Sequence, residues 1–184
     1  MHHAVQPWHV IWLTGLPCSG KTTLAWALEA TAPHRFTVLD GDALRTGCCA
    51  DLGFGREDRL EMARRTASLA AERQAPGHVA IVSTISPYRD CRAVAREILG
   101  PALLEVHVHA SAETCAGRDV KGHWAAARRG ALAGFSGVDD PYEEPLTPDL
   151  RLATETETVP ESVSRILALL ATAAARRSSG IAPR

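Results

Sequence analysis

Hydrophobic and polar positions fall along this chain in blocks of two kinds. Trp8-His-Val-Ile-Trp-Leu-Thr14, Phe36-Thr-Val-Leu-Asp40, His78-Val-Ala-Ile-Val-Ser-Thr84 and Ala102-Leu-Leu-Glu-Val-His-Val-His109 are short runs rich in apolar and β-branched residues. Strands covered on both faces read this way, because neither face has to be kept for water. Strands are expected near 8–14, 36–40, 78–84, 102–109 and 149–153. Between them apolar residues recur at helical spacing, which predicts helices near 20–31, 56–75, 88–99, 111–118 and 160–176. Strand and helix in alternation predict an α/β fold with a mostly five-stranded parallel sheet. Pro76-Gly77 and Gly100-Pro101 punctuate two of the helix-to-strand joins.

Two regions break the alternation. Residues 119–148 carry clusters of Gly, Asp, Pro and Arg with weak periodicity, and are expected to form a mobile surface segment. A long segment of that kind inside a compact domain is usually functional. Arg176 and the residues after it read as a frayed tail. The chain is therefore expected to be one domain over 1–176 with a disordered tail at 177–184.

Composition narrows the picture mainly by exclusion. A formal net charge of −1 over 184 residues gives no global electrostatic reason to bind nucleic acid or an anionic membrane. The apolar runs are too short to span a bilayer, and Met1-His-His-Ala lacks the cationic start and apolar core of a signal peptide. Five cysteines without C-x-x-C spacing, two of them the vicinal pair Cys48-Cys49, suggest free thiols in a reducing cytoplasm. His2 and His3 read as disordered terminal residues rather than metal ligands.

Gly15-Leu-Pro-Cys-Ser-Gly-Lys-Thr22 carries the most chemistry. It fits G-x-x-x-x-G-K-[ST] between an expected strand and an expected helix, the context of a phosphate-cradling P-loop. Gly15 and Gly20 let the backbone turn and present N–H groups to phosphate oxygens. The helix N-terminus beneath adds partial positive charge. Lys21 is placed to reach the β- and γ-phosphates, and the Thr22 hydroxyl to meet Mg²⁺.

A second constellation follows at the end of the second expected strand. Asp40, Asp42 and Arg45 should lie near the P-loop, since ligands of open parallel sheets sit beyond the carboxyl ends of the strands. A carboxylate there can orient or deprotonate a hydroxyl, or hold a metal through water. An Asx turn opening a helix is the competing reading of either aspartate.

Further stretches join these in order: Leu39-Asp-Gly-Asp-Ala-Leu-Arg45, Asp51-Leu-Gly-Phe-Gly-Arg-Glu-Asp-Arg-Leu-Glu-Met-Ala-Arg-Arg65, Ile85-Ser-Pro-Tyr-Arg89, Arg118-Asp-Val-Lys-Gly122 and Gly134-Phe-Ser-Gly-Val-Asp-Asp-Pro-Tyr-Glu143. Over roughly residues 10–150 the set resembles the adenosine 5′-phosphosulfate (APS) kinase family. The resemblance implies a three-layer P-loop NTPase fold with a lid at about 119–148. It implies transfer of the γ-phosphate of MgATP to the 3′-hydroxyl of APS, giving 3′-phospho-APS (PAPS) and ADP. It also implies a homodimer, with ATP and APS as its small-molecule partners.

The same resemblance distributes roles along this sequence. ATP falls to Gly15, Leu16, Pro17, Cys18, Ser19, Gly20, Lys21, Thr22 and Thr23, with Arg118. Asp40 becomes the base or hydroxyl-orienting group, with Asp42 beside it. Arg45 and Arg59 take the substrate anion, and Phe54 and Phe135 sandwich the APS adenine. Ile85 and Ser86 line the acceptor site, Lys121 reaches the migrating phosphate, and Thr22 holds the metal. The residue types fit: arginine offers a planar fork of donors to phosphate or sulfate. Phe54 and Phe135 each sit beside glycine in loops, where an aromatic is free to stack on a base. Two competing readings stay open here. Phe135 also suits a hydrophobic plug for the lid, and Arg118 with Lys121 suits a solvated charge run.

Departures from the family pattern cluster near the expected site. Met62 stands where the family has an asparagine that contacts APS, one helical turn beyond Arg59. A thioether cannot replace an amide's donors and carbonyl acceptor. After Gly122 the chain reads His-Trp-Ala-Ala-Ala in place of Leu-Tyr-Lys-Lys-Ala, removing two positive charges from the lid. Thr84 stands where many members have phenylalanine, and Pro17-Cys18 replaces Ser-Gly in the P-loop. These changes leave two alternatives standing: a related kinase acting on a different nucleotide or nucleotide conjugate, and a non-catalytic nucleotide-binding module.

Overall fold

Val10 and Trp12 face one side of the central sheet, Ile11 and Leu13 face the other, and all four are buried. That is the two-residue period of a strand covered on both sides. The protein was analysed as a computed structural model, which describes residues 9–73 and 77–178. His2, His3, Trp8, Pro76 and the tail from 179 lie outside the described residues.

Five strands form the sheet: β1 (Val10–Thr14), β2 (Phe36–Asp40), β3 (Val79–Ser83), β4 (Leu103–His109) and β5 (Leu150–Ala153). They run parallel in the order β2-β3-β1-β4-β5. The five expected strands thus match those observed to within two residues at each end. Seven α-helices accompany them among the described residues: α1 (Lys21–Thr31), α2 (Gly41–Thr46), α3 (Arg56–Glu72), α4 (Arg89–Leu99), α5 (Ala112–Gly117), α6 (His123–Arg128) and α7 (Val159–Ser178). The last helix runs two residues beyond the expected boundary at 176. Among the described residues no helix is long and apolar enough to cross a membrane.

The helices cover both faces, giving the three layers. On one face Met62, Ala63, Ala67 and Ala70 of α3 and Cys91, Ala95 and Leu99 of α4 pack on Val10, Trp12, Leu39, Ala80 and Val82. On the other, Leu24, Ala25 and Leu28 of α1 and Val163, Ile166 and Leu170 of α7 pack on Ile11, Leu13, Ile81 and Val106. Each large apolar side chain withdrawn in this way contributes about 1.5–3 kcal/mol. A smaller cluster of Ala110, Cys115 and Trp124 lies apart, with Leu16, Cys18 and Phe135 against it.

Two helices were not expected. Asp40 caps α2, its Oδ1 accepting from the Asp42 N–H at 3.0 Å. Six residues are too few to show a period, so the Asx-led start reads as a turn. α6 lies inside the segment expected to be irregular. The C-terminal part of that segment is pinned: Asp139 accepts from the N–H groups of Gly134 and Phe135 at 2.7 and 2.8 Å, and Glu143 N–H donates to Pro87 O at 2.8 Å. The Tyr88 hydroxyl donates to Asp140, adding a tie to the start of α4. All five cysteines are free, and the Cys48 and Cys49 sulfurs are 3.8 Å apart.

Candidate functional site

The P-loop leaves the carboxyl end of β1 and turns beneath the start of α1. A Cβ on Gly15 would stand 2.2 Å from Val108 O, so only glycine fits the close approach to β4. Gly20 caps α1 in the left-handed region at φ 103°, which costs glycine nothing. Cys18 also adopts a left-handed conformation, at φ 66°. That explains why the family pattern has glycine at this position, and a β-carbon here is strained. Burial pushes the Cys18 thiol up.

Lys21 is 7 % exposed, and its Nζ donates to Gly15 O at 2.9 Å and Leu16 O at 2.7 Å. Burial pulls its ammonium down to about 8. Thr22 Oγ1 donates to Asp40 Oδ2 at 2.9 Å and lies 3.2 Å from Ser83 Oγ. Arg118 is held by Thr154, through its backbone oxygen at 2.7 Å and its hydroxyl at 3.1 Å. Thr154 in turn donates to Ser19 O at 2.8 Å, tying the start of the lid region to the P-loop.

Across the crevice, Arg45 stacks on the Phe54 ring at 4.1 Å and donates to Leu52 O and Gly53 O at 3.2 and 2.9 Å. Burial lowers the Arg45 pKa. Arg59 is buried and donates to Phe54 O at 2.8 Å and Gly134 O at 2.6 Å, with Asp140 at 3.5 Å. Both guanidiniums therefore brace the Phe54 loop, work that the expectation of pure anion-binding groups omitted. Phe54 is 54 % exposed, while Phe135 packs edge-on against Trp124 with centroids 5.2 Å apart. Phe135 thus has the lid-plug contact as well as a place on the cavity wall. Lys121 Nζ reaches Asp42 Oδ2 at 2.9 Å, and this partner raises the lysine's pKa.

These groups enclose one continuous cavity of about 810 Å³, within the range of small-molecule sites. Pro17, Cys18, Gly20, Lys21, Thr22, Thr23 and Arg118 line one end. Asp40, Asp42, Arg45, Phe54, Arg59, Met62, Ile85, Ser86, Lys121 and Phe135 line the rest. Gly15, Leu16 and Ser19 do not reach the wall; Gly15 and Leu16 carbonyls hold Lys21 from behind it. Met62 faces the cavity beside Arg59 yet is only 8 % exposed, since it also packs in the α3 core. The Ser86 hydroxyl is turned to Trp12 Nε1 at 3.0 Å and Thr84 Oγ1 at 2.8 Å, and its backbone sits at φ 44°.

Four residues of the site were not singled out from the sequence. Ser83 and Thr154 touch the P-loop residues Thr22 and Ser19, Asp140 joins Arg59 to Tyr88, and Trp124 donates to Pro17 O at 3.3 Å. Each acts through a contact spanning at least 52 positions, which no local pattern encodes. The Asp-Asp pair at 139–140 was visible only as part of a motif.

The family model described as adenylylsulphate kinase matches residues 8–153. The chain is 49 % identical over 166 residues to the adenylyl-sulfate kinase of Paraburkholderia xenovorans, spanning 89 % of this chain and 93 % of that one. It is 44 % identical over 163 residues to the adenylyl-sulfate kinase of Halothermothrix orenii, spanning 87 % and 88 %. Among solved structures, the Mycobacterium tuberculosis APS kinase CysC in complex with AMPPNP and APS superposes with a TM-score of 0.84 at 37 % identity. That match covers 89 % of this chain and 98 % of the other.

Proposed function

The chain belongs to the adenylylsulphate kinase family, and from that premise we propose that the cavity transfers the γ-phosphate of ATP to the 3′-hydroxyl of APS. The products are PAPS and ADP. The observation that carries the reading is the single cavity itself. It has a P-loop lysine at one end, an aromatic and arginine-lined pocket at the other, and a carboxylate between them.

Phosphoryl transfer depends on positioning and charge stabilisation more than on covalent chemistry. Lys21 is the group that neutralises charge on the donor phosphates, exchanging the Gly15 and Leu16 carbonyls for phosphate oxygens. Asp40 accepts a hydrogen bond from Thr22 and is placed to orient the acceptor hydroxyl and take its proton. Arg45 and Arg59 bring positive charge to the phosphosulfate end, and Phe54 with Phe135 clamps the acceptor base. Lys121 supplies charge from the lid, and closure of 119–148 excludes water that would otherwise take the phosphoryl group.

A divalent metal accompanies ATP in such a transfer, and we assign it as Mg²⁺. The residues fit: Thr22 Oγ1, with Ser83 Oγ 3.2 Å away, offers hydroxyl oxygens of the kind Mg²⁺ takes beside the phosphates. Among the described residues no cluster of His, Cys, Asp and Glu would hold a metal alone, which suits an ion that arrives with the nucleotide. When bound, the metal lowers the charge on the phosphates. Family resemblance further supports a homodimer, and the free thiols a cytoplasmic setting.

Met62 and the lid substitutions favour a second reading, a related kinase with another nucleotide acceptor. Comparing kcat/KM for APS with those for AMP and other nucleotides separates the two. A preference for APS supports the first, and a preference for another acceptor supports the second.

A further inference from the structure

We infer that Trp124 is a positioning residue that couples nucleotide binding at the P-loop to acceptor binding at Phe135. The inference rests on the kinase reading above. α6 is short, and only Trp124 and Ala127 of its side chains are buried. The Trp124 ring is 1 % exposed and seated at the crest of the P-loop. Its Nε1 donates to Pro17 O at 3.3 Å, and it shares a cluster with Leu16 and Cys18. The opposite contact is Phe135, edge-on at 5.2 Å. Gly137 sits at φ 96°, and a Cβ there would press on Leu16 Cδ2 at 2.7 Å and Trp124 Cη2 at 3.0 Å, so the seat favours glycine. One rigid indole therefore touches the donor loop and the acceptor clamp together.

The P-loop crest has reason to move when nucleotide arrives. Lys21 Nζ is bound to the carbonyls of Gly15 and Leu16, which immediately precede Pro17. A triphosphate draws Lys21 away from those oxygens and fixes the loop N–H groups on phosphate. The crest carbonyl that holds the indole is then fixed as well. The indole N–H is a donor only, and it meets Pro17 O and the Cys18 thiol, so the loop crest decides its hydrogen-bonded orientation. Phe135, packed on that ring, is ordered with it. Coupling of this kind is reciprocal: acceptor seated against Phe135 must tighten nucleotide by the same factor.

The test measures APS affinity calorimetrically on the full chain, with and without saturating Mg-AMPPNP. In the unmodified protein AMPPNP is expected to tighten APS by about tenfold. Trp124→Ala is expected to cut that factor to about twofold or less while APS alone still binds. Trp124→Phe keeps an aromatic ring but loses the N–H, and is expected to fall between the two. Should Trp124→Ala fail to fold, Trp124→Phe decides. An unaltered factor in the folded variants, or no coupling in the unmodified protein, overturns the inference and leaves the kinase reading intact. Failure of APS to bind the unmodified protein under either condition overturns the kinase reading, and the inference with it.

Discussion

Lys121 and Asp42 stand 79 positions apart, yet their charged atoms meet at 2.9 Å across the mouth of the cavity. Both side chains are largely exposed, at 64 % and 81 %, so the pair contributes little to stability and exchanges readily. It leaves Lys121 on the cavity wall, where a more strongly charged partner can displace Asp42.

Lys121→Met should therefore lower kcat by roughly 10²-fold or more, the scale of losing one group that stabilises transition-state charge. Thermal stability should move by no more than about 4 °C. Steady-state ADP release and a melting curve on the same preparation check both. A large drop in stability would give Lys121 a structural role instead.

Asp40 has two duties, and two variants separate them. It caps α2 and it accepts from Thr22. Asn keeps the cap and loses the charge, so Asp40→Asn should lose about 10²–10⁴-fold in turnover while melting as the unmodified protein does. Asp40→Ala should lose the same activity and about 1 kcal/mol of stability besides. Nucleotide affinity should survive in both. A nearly normal rate in Asp40→Asn removes this carboxylate from the mechanism.

Met62 lines the cavity beside Arg59, and it also packs in the α3 core. Met62→Asn should lower the KM for APS about 2- to 10-fold, the worth of one recovered polar contact. Without acceptor bound, the buried amide should cost about 1–3 kcal/mol, or roughly 2–12 °C in Tm. No gain with APS, together with better use of another nucleotide, would favour the second reading of the site.

Lys21 gives the affinity for nucleotide a defined pH dependence. Burial sets its folded pKa at about 8, against an ordinary value of 10.5. Between these values the unfolded chain holds the proton more often, so ligand-free stability rises with pH through that window. Phosphate favours the charged ammonium, so binding takes up a proton above about pH 8. ADP affinity should be roughly 5- to 10-fold weaker at pH 9.0 than at 7.5, with proton uptake visible as a buffer-dependent heat. Lys21→Met should bind weakly with no such slope. A flat profile in the unmodified protein would mean that Lys21 does not meet phosphate.

How far the sequence discloses this molecule depends on the range of the interactions. The apolar runs place β1, β3 and β4 because burial on both faces is written into consecutive residues, while the edge strands β2 and β5 are only partly buried and show a weaker pattern. The P-loop is legible because its residues answer local needs, such as the left-handed backbone of Gly20 at the start of α1. α6 is not legible: His123–Arg128 is one short stretch between glycines, and its helix is fixed by burial of Trp124 against Pro17 and Phe135. The same holds for Arg45 and Arg59. Their charge suggested an anion, whereas their hydrogen bonds go to the carbonyls of Leu52, Gly53 and Phe54 in the neighbouring loop, and only the bond from Arg59 to Gly134 joins distant parts of the chain.

The most direct test of the central claim is product analysis with purified protein, MgATP and APS, counting ADP and identifying the second product by mass. The account predicts ADP release that depends on APS, with PAPS formed in a one-to-one ratio. Folded protein that binds ATP but forms no PAPS would contradict it and shift attention to the acceptor pocket around Met62.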